Sequence, residues 1–145
     1  MDTTPTTPTL TGTCACTHIT YTASHAPKTL TNCHCTPCRK HSGGPYQTWV
    51  LFSAKDITWT SEEPVLRRSS HCATRGICPR CGSNLSLVYD SEPGELYTAA
   101  GTIDDGGAVP RPCAHIFVKE KAAWFELPRD GFVRFSGGVE RWRRC

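Results

Sequence analysis

Three short cysteine clusters contain the residues of this chain whose type and spacing could do chemistry. They hold seven of the ten cysteines, in Cys14-Ala15-Cys16, Cys33-His34-Cys35-Thr36-Pro37-Cys38 and Cys78-Pro79-Arg80-Cys81. Thiolates spaced this closely on turn-forming sequence are typical zinc ligands. The first and third clusters together supply four sulfurs, enough for a closed tetrahedral site, whereas the middle cluster supplies three and leaves one position open, as catalytic zinc sites do. The sequence therefore predicts two zinc ions per chain, one structural and one catalytic.

The third cluster carries the strongest local signal. The two-residue spacing between Cys78 and Cys81 lets both sulfurs reach one ion from a tight turn. Pro79 presets φ, and Gly82 tolerates the positive φ that such a turn often needs. Cys14 and Cys16 would share a face of a strand and could complete the site from far along the chain. The alternative is a disulfide or two ordinary buried cysteines.

The middle cluster is the candidate reactive centre. His34 alternates with Cys33 and Cys35, so on an extended segment its side chain points away from a metal held by the sulfurs. The open position would then bind water or a substrate thiol, whose pKa zinc lowers. The alternative is a second structural site, with its fourth ligand drawn from His41, His71, Cys72, Cys113 or His115.

The segments that position these clusters are predicted to be short strands. Residues rich in β-branched, aromatic and aliphatic side chains recur about every ten positions, with turn residues between them. The predicted strands are 19–22, 47–52, 57–60, 65–70, 85–89, 96–100, 115–118 and 124–127. A helix of one or two turns is predicted over 37–42, with Pro37 in its first turn and Gly43 and Gly44 at its end. The pattern predicts a mainly β fold built around metal.

Composition and charge restrict the remaining possibilities. A chain of 145 residues with 38% hydrophobic and 20% charged residues suits one globular domain. We expect a Thr/Pro-rich disordered segment at 1–11, a zinc domain at 12–138 and a basic tail at 139–145. No secretory signal or membrane-length apolar run is evident, which favours the cytoplasm and no membrane partner. The formal charge of +3 falls near zero once seven cysteines ionise around two zinc ions, so no nucleic-acid partner is expected.

The order of these motifs resembles the glutathione-dependent formaldehyde-activating enzyme family, also called the centromere protein V/Gfa domain. The resemblance covers roughly residues 10–136. Its motifs here are Gly12-x-Cys14-x-Cys16, Cys33-His34-Cys35-x-x-Cys38-Arg39-Lys40, Cys78-x-x-Cys81-Gly82-Ser83, Gly101-Thr102-Ile103-Asp104, and Ala114-His115-Ile116 followed by Trp124-Phe125. The resemblance implies a mainly β, Mss4-like fold, with short antiparallel sheets organised around a zinc site of four cysteines.

The resemblance also implies a division of labour between the clusters. Cys14, Cys16, Cys78 and Cys81 match the structural zinc ligands, and Cys33, Cys35 and Cys38 match the catalytic zinc ligands. The implied activity is that of a carbon–sulfur lyase, which joins glutathione and formaldehyde into S-hydroxymethylglutathione or separates them. The implied partner is a small thiol or its adduct, and a homo-oligomer is compatible with the family.

Other polar residues are weaker candidates for the site. Asp104 or Asp105 could act as a general base near the open zinc position, although a plain turn aspartate is the favoured interpretation of each. His115 could be catalytic or a hydrogen-bonded, half-buried histidine. Trp49 and Phe52 are interpreted as core residues rather than a platform for substrate.

A possible binding segment follows the middle cluster. Arg39 could attract anionic glutathione, and Ser42 and Gly43 could offer donors to a substrate carboxylate; the alternatives are a solvated charge and a helix end. Three other functions stay open. The chain could be a related zinc enzyme of secondary metabolism with another small-molecule substrate, or a non-catalytic zinc module. It could also be a methionine sulfoxide reductase, which would require a reactive Cys113.

Overall fold

The computed structural model of the chain describes residues 10–104 and 109–138. Within them it has eleven short strands, one α-helix and three single turns of 3-10 helix. The strands are β1 (Leu10–Thr13), β2 (Thr20–Ala23), β3 (Thr29–Cys33), β4 (Gln47–Ser53), β5 (Ile57–Trp59), β6 (Val65–Arg68), β7 (Ala73–Ile77), β8 (Asn84–Tyr89), β9 (Glu95–Ala99), β10 (Ala114–Ile116) and β11 (Val133–Arg134), and the helix α1 is Thr36–Ser42. The predicted mainly β fold class is confirmed.

The strands form two sheets. The larger has eight strands in the order β11-β10-β3-β4-β9-β8-β7-β6, and the smaller has three in the order β1-β2-β5. Every pairing is antiparallel except those of β10, which runs parallel to both β3 and β11. The parallel pair sets Ile116 opposite Cys33 at the end of β3. The chain leaves the large sheet at this point and enters the middle cysteine cluster.

The helix is short because its sequence both starts and stops it. Cys35 is the N-cap, and its sulfur accepts a hydrogen bond from the Cys38 backbone N–H at 3.4 Å. Pro37 occupies the first turn, where a missing N–H costs nothing. Gly43 closes the helix in the left-handed conformation with φ of 73°, and its N–H donates to the Arg39 carbonyl. The helix predicted over 37–42 is confirmed, and its N-cap is itself a candidate metal ligand.

Each candidate metal cluster includes cysteines that pack in a hydrophobic core. Cys33, Cys35 and Cys38 belong to the largest buried cluster, together with aliphatic and aromatic residues of β4, β8, β9 and β10. Cys14 and Cys78 pack with Ile19, Tyr21 and Leu85 in a smaller core between the two sheets. Burial of apolar side chains therefore positions all three cysteines of the middle motif, but only Cys14 and Cys78 of the four-cysteine group.

The predicted strands match the structure unevenly. Seven of the eight overlap observed strands, but the strand predicted at 124–127 is wrong, since Trp124 lies in a turn and is exposed. The sequence analysis missed β1, β3, β7 and β11. In β3, polar Thr31 and Asn32 are buried beside apolar residues, which hides the alternation expected of a strand.

The predicted segment boundaries are only partly covered by the structure. Residues 10 and 11, placed by the sequence in a disordered segment, belong to β1. The rest of that segment, Asp105 and the predicted tail at 139–145 lie outside the described residues. None of the described helices is long and apolar enough to cross a membrane.

Candidate metal centres

The first and third cysteine motifs of the sequence come together in space, and their four sulfurs form what is called the first cluster from here on. The sulfurs of Cys14, Cys16, Cys78 and Cys81 all lie within 4.8 Å of one another. Cys14 and Cys78 are buried, whereas Cys16 and Cys81 are exposed. All four are free thiols in the structure, so the disulfide alternative does not apply to them. The geometry is that of a closed four-sulfur site at the protein surface.

Two turns shape this first cluster. Cys14 closes one, with its carbonyl accepting from the Thr17 N–H and its sulfur accepting from the Ile19 N–H at 3.2 Å. Cys78 closes the other, where the Gly82 N–H donates to the Cys78 carbonyl and Gly82 has a φ of 77°. The Ser83 side chain and backbone hydrogen-bond to Cys81 and lower the pKa of its thiol to about 5. These donors favour the thiolate form of Cys81, which is the form that binds a metal.

The second cluster, formed by Cys33, Cys35 and Cys38, is smaller and fully buried. Its three sulfurs lie within 4.8 Å of one another, and each residue is at most 3% exposed. Cys33 ends β3, Cys35 caps α1 and Cys38 lies in the first turn of the helix. Across the described residues, no fourth cysteine, histidine or carboxylate joins them. The candidate fourth ligands His41, His71, Cys72, Cys113 and His115 therefore lie outside this three-sulfur group.

Two N–H donors converge on the sulfur of Cys38. The indole Nε1 of Trp49 donates to it at 3.4 Å, and the guanidinium Nη2 of Arg75 donates to it at 3.7 Å. The neighbouring thiols of Cys33 and Cys35, together with these two groups, hold the pKa of Cys38 well below its usual value. Trp49 was interpreted as a core residue. It is buried, and it also contacts a candidate ligand directly.

A cavity of about 320 Å³ lies against the second cluster. It reaches Cys35 but no residue of the first cluster. Its wall is largely apolar, with Leu87, Tyr89 and Phe117, and its polar side carries Ser69, Ser70, His71 and Arg75. A pocket of this size suits a small molecule. Of the two metal clusters, the second is the one with a small-molecule cavity at its side.

The side chain of His34 points away from the sulfurs of Cys33 and Cys35, as the alternation of side chains along an extended segment predicted. Its Nε2 is 2.9 Å from Nδ1 of His115, and Nε2 of His115 is 2.7 Å from the Asp130 carboxylate. Both imidazoles are at most 1% exposed. Burial, followed by the neighbouring His115, lowers the pKa of His34 to about 4. The result is a hydrogen-bonded chain, Asp130–His115–His34, that ends between two ligand cysteines.

Of the proposed general bases that the structure describes, neither Asp104 nor His115 lines the cavity. Asp104 accepts hydrogen bonds from the hydroxyls of Thr11 and Thr13 at 2.8 and 3.1 Å, beside β1. His115 is bound to His34 and Asp130 and does not line the cavity. Asp104 is therefore held by threonine hydroxyls, and His115 contacts the segment that carries the candidate ligands through His34.

The proposed anion-binding residues are held in and around the end of α1. Arg39 donates through Nε to the Glu120 carbonyl and through Nη2 to the Thr36 hydroxyl. Ser42 donates to the Arg39 and Tyr46 carbonyls, and Gly43 is the helix C-cap. The contact with Glu120 fastens the helix to the segment after β10, and the others hold the helix and its end in place. None of the three residues lines the cavity.

Arg75 and Asp130 are the residues that sequence reasoning missed. Arg75 lies in β7, which was not predicted, and Asp130 lies in an irregular segment fifteen residues after the histidine that it contacts. One signal was present for Arg75, because it stands three residues before the Cys78-x-x-Cys81 motif. Asp130 had no local signal, since its partner is brought to it only by the parallel pairing of β10.

The chemistry of both donor sets fits a metal ion. Clustered free thiols at these separations, shaped by N–H donors, are what a thiophilic divalent metal requires. The first cluster has four such donors and the second has three. Both could therefore hold an ion, and only the second would keep a coordination position for another ligand.

Comparison with known proteins agrees with this arrangement. The family model described as glutathione-dependent formaldehyde-activating enzyme matches residues 9–120. A crystal structure of a Rhodobacter sphaeroides protein shares the fold with a TM-score of 0.56 at 18% sequence identity, over 86% of this chain and 98% of that one. No curated protein sequence matches the chain. Because the family model spans most of the chain and both cysteine clusters, the protein belongs to the glutathione-dependent formaldehyde-activating enzyme family.

Proposed function

We propose that the protein is a zinc-dependent carbon–sulfur lyase that forms and cleaves S-hydroxymethylglutathione or a closely related thiol adduct. One observation carries the proposal. Three buried sulfurs, with no fourth ligand among the described residues, adjoin a cavity of about 320 Å³. Family membership supports glutathione-related activation of formaldehyde as the class of chemistry.

In this proposal the two clusters hold zinc for different purposes. Cys14, Cys16, Cys78 and Cys81 hold a structural ion that joins the loop after β1 to the loop after β7. Cys33, Cys35 and Cys38 hold a catalytic ion. When bound, that ion supplies Lewis acidity, which stabilises a thiolate and polarises the oxygen of an electrophile.

The reaction balances without any further reagent. In the forward direction the substrate sulfur attacks the formaldehyde carbon, a C–S bond forms, and the thiol proton is transferred to the carbonyl oxygen. In the reverse direction the hydroxyl proton is lost, the C–S bond breaks and the thiol is regenerated. The protein contributes proximity, because the cavity holds the adduct against Cys35. The apolar wall formed by Leu87, Tyr89 and Phe117 limits the access of water.

The cavity wall also favours a second candidate, a related zinc enzyme with a different small-molecule thiol adduct as substrate. Among its described lining residues there is no lysine, aspartate or glutamate to pair with the charged groups of glutathione. Arg75 lines the cavity, but two of its three guanidinium nitrogens are shielded from solvent. The two candidates share the metal chemistry and differ only in the body of the thiol.

The test is the exchange between formaldehyde, glutathione and S-hydroxymethylglutathione, followed by NMR with the zinc-loaded protein. We expect acceleration by the wild type and none by Cys35→Ser. Cys113→Ser is the matched control, because Cys113 is an exposed thiol outside both clusters. Exchange of another thiol's formaldehyde adduct, without exchange of glutathione, would favour the second candidate. If two zinc ions are bound and no thiol adduct is exchanged, the lyase proposal is wrong.

A further inference from the structure

Arg75 places a buried positive charge beside the second cluster. The residue is 3% exposed and lies on β7, with its guanidinium over the Trp49 ring at 5.4 Å from the ring centre. Nη2 donates to the Cys38 sulfur at 3.7 Å. Arginine is almost never buried without a partner, because taking its charge out of water is costly. Its location therefore needs a compensating negative charge.

The compensating charge comes from the sulfurs. No ion pair between Arg75 and a carboxylate is found among the described residues, and Nε and Nη1 have no hydrogen-bond partner there. The contact that does exist is with a thiol of the second cluster. The other side chain that donates to that thiol, Trp49, is neutral. Arg75 is thus the one cation that the structure, over residues 10–104 and 109–138, brings to these sulfurs.

The first cluster has no such cation. Its sulfurs receive hydrogen bonds from the Ile19 N–H and contact the Ser83 hydroxyl, and within the described part of the chain no lysine or arginine donates to them. Two of its four cysteines are exposed, so water can screen the excess negative charge of a four-thiolate site. The buried second cluster lacks that screening and has a guanidinium in its place.

Charge counting shows what the guanidinium makes possible. Three thiolates around a divalent ion carry a net charge of about −1, which Arg75 neutralises. A substrate thiolate at the open position would bring the total to about −1 with Arg75 present and about −2 without it. In a buried site the second of these is strongly disfavoured.

We propose that Arg75 is a positioning residue that adapts the open position of the second metal site to an anionic sulfur ligand in preference to a neutral one. It acts through Cys38 and through its charge, without itself reacting. The inference deepens the proposed function, on which it rests in one respect, namely that the second cluster binds a divalent metal. It identifies the thiolate form of the substrate as the species that the site selects.

The test replaces zinc with Co²⁺ and follows the Co²⁺ absorption spectrum as a ligand is added. The probes are 2-mercaptoethanol, which binds as a thiolate, and imidazole, which binds as a neutral ligand. A closed four-sulfur site has no vacancy, so the spectral change reports the second site alone. The variants are Arg75→Gln and Arg75→Lys. The control is Arg68→Gln, because Arg68 is an exposed arginine on the neighbouring strand β6 and pairs with Asp90.

We expect Arg75→Gln to weaken 2-mercaptoethanol binding by about tenfold or more, the effect of losing one nearby charge in a poorly screened site, and to leave imidazole binding within about twofold. Arg75→Lys should restore much of the thiolate affinity, and Arg68→Gln should change neither. Equal affinity of wild type and Arg75→Gln for 2-mercaptoethanol, or equal losses for both probes, would overturn the inference.

Two further outcomes separate this inference from the proposed function. If the wild-type Co²⁺ protein binds no thiol at all, the proposed function fails and the inference fails with it. If Arg75→Gln loses the second metal while retaining the first, Arg75→Lys decides. Thiolate binding by the Lys variant would support the charge role, whereas loss of the metal from both variants would show that the guanidinium shape holds the site together and would overturn it.

Discussion

The two cysteine clusters offer the same ligand atom, a cysteine sulfur, in different surroundings. The first joins two remote turns and leaves two of its cysteines exposed, and none of its four cysteines lines the cavity of about 320 Å³. The second is drawn from six consecutive residues, is fully buried and adjoins a cavity of about 320 Å³. An ion in the first would cross-link the chain, and an ion in the second would face a space in which a ligand can bind. Coordination number and surroundings, rather than ligand type, separate a structural role from a reactive one.

The difference also predicts which site the fold depends on. The second cluster is embedded in the largest core, so its backbone is fixed by packing with or without a metal. The first cluster ties the loop after β1 to the loop after β7, and two of its four cysteines are exposed, so an ion there would replace packing that the exposed residues lack. We therefore expect loss of the metal from the first site to unfold the protein, and loss of the metal from the second site to abolish activity while the fold is retained.

The sharpest test of this comparison is a pair of cysteine substitutions. Cys81 is exposed, so Cys81→Ser removes little packing, yet it should lower Tm by about 10 °C or more through the lost ion. Cys35 is buried, yet Cys35→Ser should abolish activity with a much smaller fall in Tm. Calorimetry and zinc analysis of both variants check this, with Cys113→Ser as control. Equal falls in Tm for both would refute the division of roles.

Metal removal should separate the two sites in time. An ion held by the three sulfurs of the second site would keep an open position beside a cavity, so a chelator could reach it without displacing a thiolate first. We expect loss of activity to accompany release of the first equivalent of zinc, with the circular dichroism spectrum unchanged, and unfolding to accompany release of the second. The measurement is stopped-flow chelation with a colorimetric zinc indicator. Unfolding that precedes inactivation would contradict the assignment.

A smaller change, in the free energy of unfolding, is expected when the hydrogen bond between His34 and His115 is removed. His115→Leu removes the partner of the His34 Nε2, and the His34 Nδ1 already has none among the described residues. An unsatisfied buried polar group costs about 1–3 kcal/mol, so the free energy of unfolding should fall by that amount. Denaturant unfolding measures it, with His71→Leu as the exposed control. A change below about 0.5 kcal/mol would show that the hydrogen-bonded chain does not stabilise the ligand segment.

The same chain predicts an acid-range titration. His115 donates to the Asp130 carboxylate, and this holds the pKa of Asp130 below its usual value of 3.8. Since the folded-state pKa is depressed, the stabilisation is present above pH 3.8 and is lost as the pH falls through the folded-state pKa. Carboxyl-carbon NMR should show Asp130 titrating below 3.8 in the wild type and nearer to it in His115→Leu. An unchanged titration would contradict the contact.

The smallest expected effects come from the donors around each set of sulfurs. Trp49→Phe keeps the ring but removes the N–H that donates to the buried Cys38 sulfur, and should weaken metal binding at the second site about tenfold. Ser83→Ala removes a hydroxyl from the exposed Cys81 sulfur, where water can replace it, and should change metal affinity less. Competition with a chelator of known affinity ranks the two. The reverse order would mean that burial does not set the importance of these donors.

The local signals in the sequence were sufficient wherever neighbours along the chain determine the structure. The helix over 37–42 followed from Pro37 and Gly43, and the two metal clusters followed from cysteine spacing alone. His34 was expected to turn away from the sulfurs because strand geometry alternates side chains, and it does. Most strand positions were also found from composition, whereas the strand expected at 124–127 is a turn and an irregular segment.

Two of the weaker candidates, Asp104 and Arg39, do not line the cavity, and contacts between remote segments determine where they lie. Asp104 is held at β1 by two threonine hydroxyls, and Arg39 is held by the Glu120 carbonyl. Neither contact leaves a trace in the local sequence. Arg75 stands three residues before the Cys78-x-x-Cys81 motif, but its contact with Cys38 could not be foreseen, since β7 brings the two together across 37 residues of chain.

The sequence by itself determined the two candidate ligand sets of four and three cysteines and the family to which the chain belongs, because these depend on residue type and short spacing. Only the tertiary structure decided which cluster is buried, where the cavity opens, and that a guanidinium and a chain of two histidines and a carboxylate surround the three-sulfur site. The physical reason is that burial and charge pairing arise between segments that meet only when the sheet forms. The spacing of neighbouring residues does not predict these contacts between remote segments.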